Sequence, residues 1–324
     1  MKTVFYGRNG PADSVLEFGS KPTPAPDEGE VLVRLATSGV NPSDVKSRAG
    51  REPAFDFVVP HSDGAGVVEA VGEGVDQSLI GTRVWIWNGQ WQRQLGTAAE
   101  FIAVPQFQAV PLDSDVSFET AACFGIPGLT AAHVANLLES ISAETVLVTG
   151  AGNAVGHIVT QMAVLMGRKV IGTASAEKQQ SVEEAGAIAT IDYRTEDVAA
   201  RVVELTQGKG VDAIIDMDFY SSSQLIGTDA LKPKGTLLCY GSNDMGAIDV
   251  PFRELLFKSI TLQFFLVYEL DAAERRGAID RLNHFMSSGQ AQVRVSHVLA
   301  FDEIVKAHEL VESGQANGNV VLRI

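Results

Sequence analysis

Along residues 144–178 the spacing of apolar positions changes twice, and each change predicts a new element. Val146, Leu147 and Val148 form a β-branched, apolar run. Val159, Met162, Ala163 and Met166 then recur at helical intervals, and Lys169-Val170-Ile171-Gly172 opens a second strand after Gly167. Between strand and helix lies Gly150-Ala151-Gly152-Asn153-Ala154-Val155-Gly156. A strand–turn–helix–strand unit of this kind seats a dinucleotide diphosphate. Small residues let the backbone approach the phosphates, and the unpaired N–H groups at the helix start meet their charge. The turn departs from G-x-G-x-x-G in either register: counted from Gly150 the third glycine is Val155, and counted back from Gly156 the middle one is Asn153. Asparagine is the residue other than glycine that best tolerates left-handed backbone, so the turn survives the exchange. The flanking strand and helix favour nucleotide binding over a turn whose glycines serve packing alone.

The same patterning divides the rest of the chain. The first third reads as short strands punctuated by glycine and proline, at Thr3–Tyr6, Glu30–Ser38, Gly66–Val71, Arg83–Ile86 and Glu100–Val104, which predicts an antiparallel barrel or sandwich. A short helix, Asp44–Ala49, follows the Asn41-Pro42-Ser43 turn. From about Ser117 helices alternate with apolar runs suited to strands buried on both faces: Thr145–Thr149, Val170–Thr173, Ala189–Asp192, Ala213–Asp216, Thr236–Tyr240 and Ser259–Phe265. The tail reads as a helix Ala273–Ser288, a strand Val293–Leu299, a helix Asp302–Ser313 capped by Asp302, and a strand Asn319–Arg323. An α/β domain set between two pieces of a β-rich one leaves a cleft, where ligands usually sit. The stretch Trp85-Ile86-Trp87-Asn88-Gly89-Gln90-Trp91 reads as a hairpin or loop turning at Asn88-Gly89.

Composition narrows the function classes. A chain of 324 residues exceeds the usual single core, and 45% hydrophobic with 20% charged residues is ordinary for a globular enzyme. A formal charge of −15 argues against nucleic acid or an anionic membrane as partner. The start, MKTVFYGRNG, has no signal-like apolar core, no run could span a bilayer, and a cytoplasmic location is expected. The two cysteines, Cys123 and Cys239, show no metal-binding spacing and read as buried thiols. The six histidines show neither HxxxH nor HxH. No metal site is expected.

Ser38-Gly39-Val40-Asn41-Pro42-Ser43-Asp44-Val45-Lys46, Asp63 through Gly72, Gly81-Thr82-Arg83-Val84, Gly125-Ile126-Pro127-Gly128-Leu129-Thr130-Ala131, the nucleotide turn and Ile191-Asp192-Tyr193-Arg194 belong together. Through them the whole chain resembles the medium-chain dehydrogenase/reductase superfamily, and within it the zinc-free, zeta-crystallin-like quinone oxidoreductase branch. The resemblance implies an α/β fold in which a Rossmann domain, a doubly wound parallel six-stranded sheet at 123–266, is inserted in a β-rich GroES-like catalytic domain at 1–122 plus 267–324. Zinc-using relatives carry cysteine at Asn41 and Gly-His-Glu at His61-Ser62-Asp63, so the thiolate and the placed imidazole are missing. His61 stands beside the ligand position, not on it, and reads as a surface or capping histidine.

The end of the second strand, Thr173-Ala174-Ser175, carries no acid to bond a ribose 2′-hydroxyl, which favours NADPH over NADH. The resemblance assigns Ser175, Lys178 and Tyr193 to the 2′-phosphate; a solvated surface lysine is the plain alternative for Lys178. It further implies that Asn41 and Thr130 face the nicotinamide, that Tyr240-Gly241-Ser242 lies beneath the ribose, and that Phe264, Phe265 and Leu266 close on the ring. Asn41 is also a good turn residue before proline, and the phenylalanines also suit a core. Ala151, Gly152, Asn153, Ala154, Val155 and Gly156 complete the cofactor set. Lys46 and Glu52 stand about where many quinone reductases have tyrosines, and Asn319 follows Gly318 where relatives often have lysine. Lys46 joins Asn41 as a catalytic candidate, with a surface lysine as its equal alternative.

The function expected is reduction of a quinone or an α,β-unsaturated carbonyl by NADPH without a metal. Trp85, Trp87 or Trp91 would stand near the acceptor if their stretch were a pocket wall, but a hairpin packed on the barrel is the preferred reading. The alternatives are a nucleotide-binding sensor without turnover and a zinc-type alcohol dehydrogenase. The apolar last strand, Ser259–Leu266, presents an edge that pairs with its twin, so a homodimer is expected.

Overall fold

In the computed structural model, which describes residues 1–324, one unit comprises 1–126 with 293–324 and a second comprises 127–292. In the first unit β1 (Lys2–Phe5) pairs antiparallel with β2 (Glu17–Ser20). β3 (Glu30–Val40) is long enough to be shared. One edge of it pairs along its length with β4 (Asp63–Val71), and residues 30–34 of the other edge pair with β6 (Phe101–Pro105). β5 (Arg83–Ile86) joins β4 to β7 (Ala109–Pro111). Val31, Val33, Leu35, Val68, Val84, Ile86, Ile102 and Val104 fill the core between these strands. The alternation of β-branched residues along β3 and β6 predicts this burial. Trp85 and Trp87 are buried, but β5 pairs with β4 and β7 rather than with a strand after Asn88-Gly89. The tryptophan stretch is thus a strand end and loop, not a hairpin. Asn88 sits at φ 52°, and Gly89 N–H donates to Ser62 O at 2.8 Å.

The second unit holds six strands, β8 (Thr145–Val148), β9 (Lys169–Ala174), β10 (Ala189–Asp192), β11 (Val211–Asp216), β12 (Leu231–Cys239) and β13 (Thr261–Phe264). All are parallel, in the order β10-β9-β8-β11-β12-β13. The order reverses between β8 and β11, and ligands of open α/β sheets bind at such a switch point. β12 begins before the expected Thr236. Val211 pairs with Leu231 and Ala213 with Thr236, so Lys232-Pro233-Lys234-Gly235 is a bulge within the strand, with Lys234 at φ 62°.

The domain boundary also differs from the expectation. Residues 267–292 lie with the second unit. The helix Ala272–Ser287, capped by Asp271, buries Ala278, Leu282 and Phe285. Its Arg281 pairs with Glu139 at 2.7 Å and with Asn136, both on the helix Leu129–Ser140. Apolar spacing had marked the helix without marking what it packs on.

The chain then returns to the first unit with β14 (Val295–Ala300) and β15 (Asn319–Arg323), which are parallel. β15 pairs antiparallel with residues 37–40 of β3. The helix between them, Ile304–Glu312, follows a tight turn Phe301–Glu303. The expected cap Asp302 does not serve there: Glu303 accepts the Ala300 N–H at 3.0 Å instead. Both cysteines are buried and free.

Candidate functional site

In the second unit the turn 150–156 is pinned to β9. Ala151 N–H donates to Thr173 O at 2.9 Å, and Gly150 N–H to Thr173 Oγ1 at 3.0 Å. Gly150 has φ +62°, and a Cβ there would meet the Met217 thioether, with Asn153 Nδ2 2.9 Å away. A Cβ on Gly156 would run into the Gly150 carbonyl, with Ala151 Cα at 2.9 Å. Gly150 is required by its positive φ and by the Met217 side chain against it, and Gly156 by close approach of backbone to backbone. Ala154, Val155 and Gly156 open the helix Ala154–Leu165, and the first N–H groups of a helix have no partner within it. This cradle, formed of bare backbone at a helix start, fits a dinucleotide diphosphate.

Asn153 is the residue before that helix, yet its side chain makes no capping bond. Its Oδ1 accepts from Lys178 Nζ at 3.1 Å, and its Nδ2 donates to Met217 Sδ at 3.1 Å. Lys178 is buried, and its Cβ would lie 2.7 Å from a Cβ on Gly152. Ser175 is buried at the start of the turn Ala176–Lys178. Tyr193 is 51% exposed after β10. Arg194 reaches from it to Glu177 at 3.4 Å. The structure therefore gathers Gly152, Asn153 and Lys178 closely, and Arg194 links Tyr193 to that segment.

At the end of β12, Tyr240 N–H donates to Asp216 O at 3.0 Å, Gly241 O accepts Phe219 N–H at 3.1 Å, and Ser242 Oγ donates to Asp244 O at 2.6 Å. Phe265 packs edge-on against His133, ring centroids 4.6 Å apart, and Thr130 is buried in the helix carrying His133. Phe264 and Leu266 are exposed, at 56% and 47%. The three residues expected to close on one ring thus alternate in direction, as residues of an extended segment do. Two residues at the switch point escaped the sequence reading. Met217 covers Gly150. Asp216, whose carboxyl burial pushes up, accepts from Thr149 Oγ1 at 2.9 Å. Only their position after a buried strand end could have marked them.

In the first unit Asn41 caps the helix Pro42–Gly50 and is buried between two carboxyl groups. Its backbone N–H donates to Asp44 Oδ2 and its Nδ2 to Asp63 Oδ2, both at 2.8 Å. The same Asp63 oxygen accepts Ile126 N–H at 2.8 Å. Burial pushes Asp44 up to about 7 and Asp63 well above the usual carboxylate range. Because its nitrogen faces Asp63, the Asn41 amide is oriented, with Oδ1 turned away from that carboxylate. Lys46 and Glu52 are exposed, the former on the helix that Asn41 caps.

His61, expected at the surface or as a cap, lies instead, at φ 77°, in a buried network the sequence did not reveal. Thr97 Oγ1 donates to Asp63 O at 2.6 Å. Ser38 Oγ must then donate to Thr97, at 2.8 Å, and accept from His61 Nδ1, at 2.8 Å. That leaves His61 Nε2 to accept from His308 Nε2 at 2.9 Å. A carbonyl at one end thus fixes every proton in the chain. Burial pushes His61 down to about 3 and His308 well below the usual imidazole range. His61 is therefore committed inside the fold. At the position zinc ligands would occupy stand an amide, a hydroxyl and Asp63, and no group of three His, Cys, Asp or Glu side chains could hold a metal ion. This donor set does not fit a catalytic zinc.

A parallel sheet with a glycine-turn cradle, joined in one chain to a β-rich unit, defines a dinucleotide-dependent oxidoreductase architecture. Residues 27–114 match the alcohol dehydrogenase GroES-like domain and 154–284 the zinc-binding dehydrogenase domain. A quinone oxidoreductase of Pseudomonas aeruginosa is 30% identical over 98% of this chain and 98% of its own. The quinone oxidoreductase of Escherichia coli, solved with NADPH, superposes with a TM-score of 0.88 at 28% identity over 100% of both chains. A mycobacterial protein solved with NADPH gives 0.89 at 29% identity, again over 100% of both. The chain belongs to the medium-chain dehydrogenase/reductase superfamily, in its quinone oxidoreductase branch. No helix is long and apolar enough to cross a membrane.

Proposed function

We propose that this chain is a zinc-independent, NADPH-dependent oxidoreductase that reduces quinones or α,β-unsaturated carbonyl compounds. The observation that carries the reading is the cradle at Gly150–Gly156 with a buried lysine, Lys178, beside it and no carboxylate at Thr173-Ala174-Ser175. Backbone N–H groups of Ala154, Val155 and Gly156 hold the diphosphate, and Ser175, Lys178 and Tyr193 take the 2′-phosphate. When bound, NADPH supplies the hydride; no obligatory acid or base stands among the residues assigned, so the accompanying proton comes from water or from the cofactor's ribose hydroxyl. Tyr240, Gly241, Ser242, Thr130 and Phe265 orient the nicotinamide half. Asn41 is assigned to face the nicotinamide as well, and Asp63 fixes its amide through Nδ2. Zinc independence is supported by the donors at Asn41, Ser62 and Asp63. An electron-poor conjugated acceptor needs hydrogen bonding rather than a Lewis acid to accept hydride.

The test is cofactor oxidation by purified, chelator-treated protein with NADPH and a simple quinone or enone. Turnover that persists without zinc supports the reading, and absence of turnover across both acceptor classes overturns it. We also propose a homodimer through the β13 edge. Phe252, Leu256 and Phe257 on the preceding helix and Phe264 on the strand are exposed apolar residues, which supports a partner there.

A further inference from the structure

We propose that Asn153 sets the balance between NADPH and NADH by competing with the 2′-phosphate for the ammonium of Lys178. The inference rests on the cofactor reading above and concerns a residue that reading leaves as plain backbone.

An asparagine preceding a helix ordinarily turns its side chain onto the N–H groups of the first turn. Asn153 does not, although its backbone, at φ −91° and ψ 169°, is in the ordinary extended region for that position. Both ends of its amide are drawn elsewhere: Oδ1 takes Lys178 Nζ at 3.1 Å and Nδ2 reaches Met217 Sδ at 3.1 Å. The side chain is thereby fixed as a strut from the end of β11 to the lysine. Two consequences follow. The first N–H groups of the helix stay unclaimed by this side chain. And the Lys178 stem lies against Gly152, so its ammonium is stationed at the helix start rather than beyond the end of β9.

A phosphate on the adenine ribose draws Lys178 away from Asn153. Oδ1 then loses a charge-assisted donor inside a buried site, and the complex bears that loss. A nucleotide without the 2′-phosphate makes no such demand, so Lys178 stays where it is. Asn153 therefore weakens NADPH selectively. Glu177, paired with Arg194 at 3.4 Å, lies next to Lys178 in sequence, and Lys178 is the buried cation of this segment. Truncating Asn153 removes the competitor without touching the phosphate site itself.

The experiment is calorimetric titration of NADPH and NADH into wild type, N153A, N153S, K178A and the N153A/K178A double variant. Serine can still cap the helix but is too short to reach Lys178, so it separates the strut from helix capping. N153A and N153S should each raise the ratio of NADPH to NADH affinity by about threefold to tenfold, the worth of one ordinary hydrogen bond. K178A should abolish the preference for NADPH, and adding N153A to it should change nothing more. An unchanged NADPH:NADH ratio in both Asn153 variants overturns the inference and assigns Lys178 to the shared diphosphate. A fall in the ratio overturns it in the opposite sense, making Asn153 a support for the lysine. Folded wild type that binds neither nucleotide overturns the cofactor reading as well. Binding of both with no response to Asn153 overturns this inference alone.

Discussion

Asn41 and Asp63 are joined by a buried hydrogen bond of 2.8 Å from Nδ2 to Oδ2, and the same oxygen receives the Ile126 N–H at 2.8 Å. One carboxylate oxygen thus holds both the residue that caps helix 42–50 and the peptide after Gly125. The other oxygen, Oδ1, has no hydrogen-bond partner and lies against Gly125, where any Cβ would overlap it.

Removing the carboxyl group and replacing it should therefore differ sharply. D63A leaves two buried donors unpaired, each worth about 1–3 kcal/mol, so a total loss of about 2–6 kcal/mol is expected in urea unfolding. D63N keeps an oxygen for both donors and should cost about 1 kcal/mol or less. Equal losses in the two variants would show that the hydrogen bonds do not hold this region.

Gly125 should be coupled to Asp63. G125A forces the carboxylate from its place and should cost about 1–3 kcal/mol as an overpacking change. In the G125A/D63A double variant the clash has no target, so the two losses should fall short of their sum by about 1 kcal/mol or more. Strict additivity would contradict the contact.

The His61–His308 pair makes stability depend on acid. Both imidazoles are held neutral in the folded chain, His61 down to about 3, whereas free histidine titrates near 6.5. As pH falls below about 6.5, the unfolded chain gains protons that the folded chain refuses. Stability then drops by roughly 1.4 kcal/mol per pH unit for each histidine. Asp44, raised to about 7, acts in the opposite sense: its contribution is present below its unfolded value and lost as pH rises through about 7. The variant H61N/H308Q should lose less stability than wild type between about pH 7.5 and about pH 5. D44N should lose less than wild type between about pH 4 and about pH 7. Parallel stability curves for wild type and these variants would contradict the assignments.

If the β13 edge is the dimer surface, light scattering should report about twice the chain mass of 34.5 kDa. F257D, which places a charge at a 76% exposed phenylalanine on the preceding helix, should return a single-chain mass. A monomeric wild type would reject the proposal.

Much of this molecule was legible because buried strands are short β-branched runs bounded by glycine. Arg83–Ile86, Ala189–Asp192 and Asn319–Arg323 fall where the pattern puts them. The switch-point turn was legible for the same reason. What the pattern could not carry was which surfaces meet. Helix Ala272–Ser287 shows its apolar face but not that Arg281 finds Glu139. His61 and His308 are 247 residues apart, and nothing in local spacing joins them. The Asn153 side chain was read as a tolerated turn residue, whereas its partners, Lys178 and Met217, come from the next strand end and from across the switch point.

The claim on which the account turns is that the backbone at Gly150–Gly156 holds the diphosphate of a reduced pyridine nucleotide. Calorimetric titration of NADPH into wild type and G156A tests it, because a methyl at Gly156 meets the Gly150 carbonyl and disrupts the cradle. One site per chain in wild type, weakened by about tenfold or more in folded G156A, is the predicted result. A wild type that takes up no NADPH, or a G156A that binds it equally well, would contradict it.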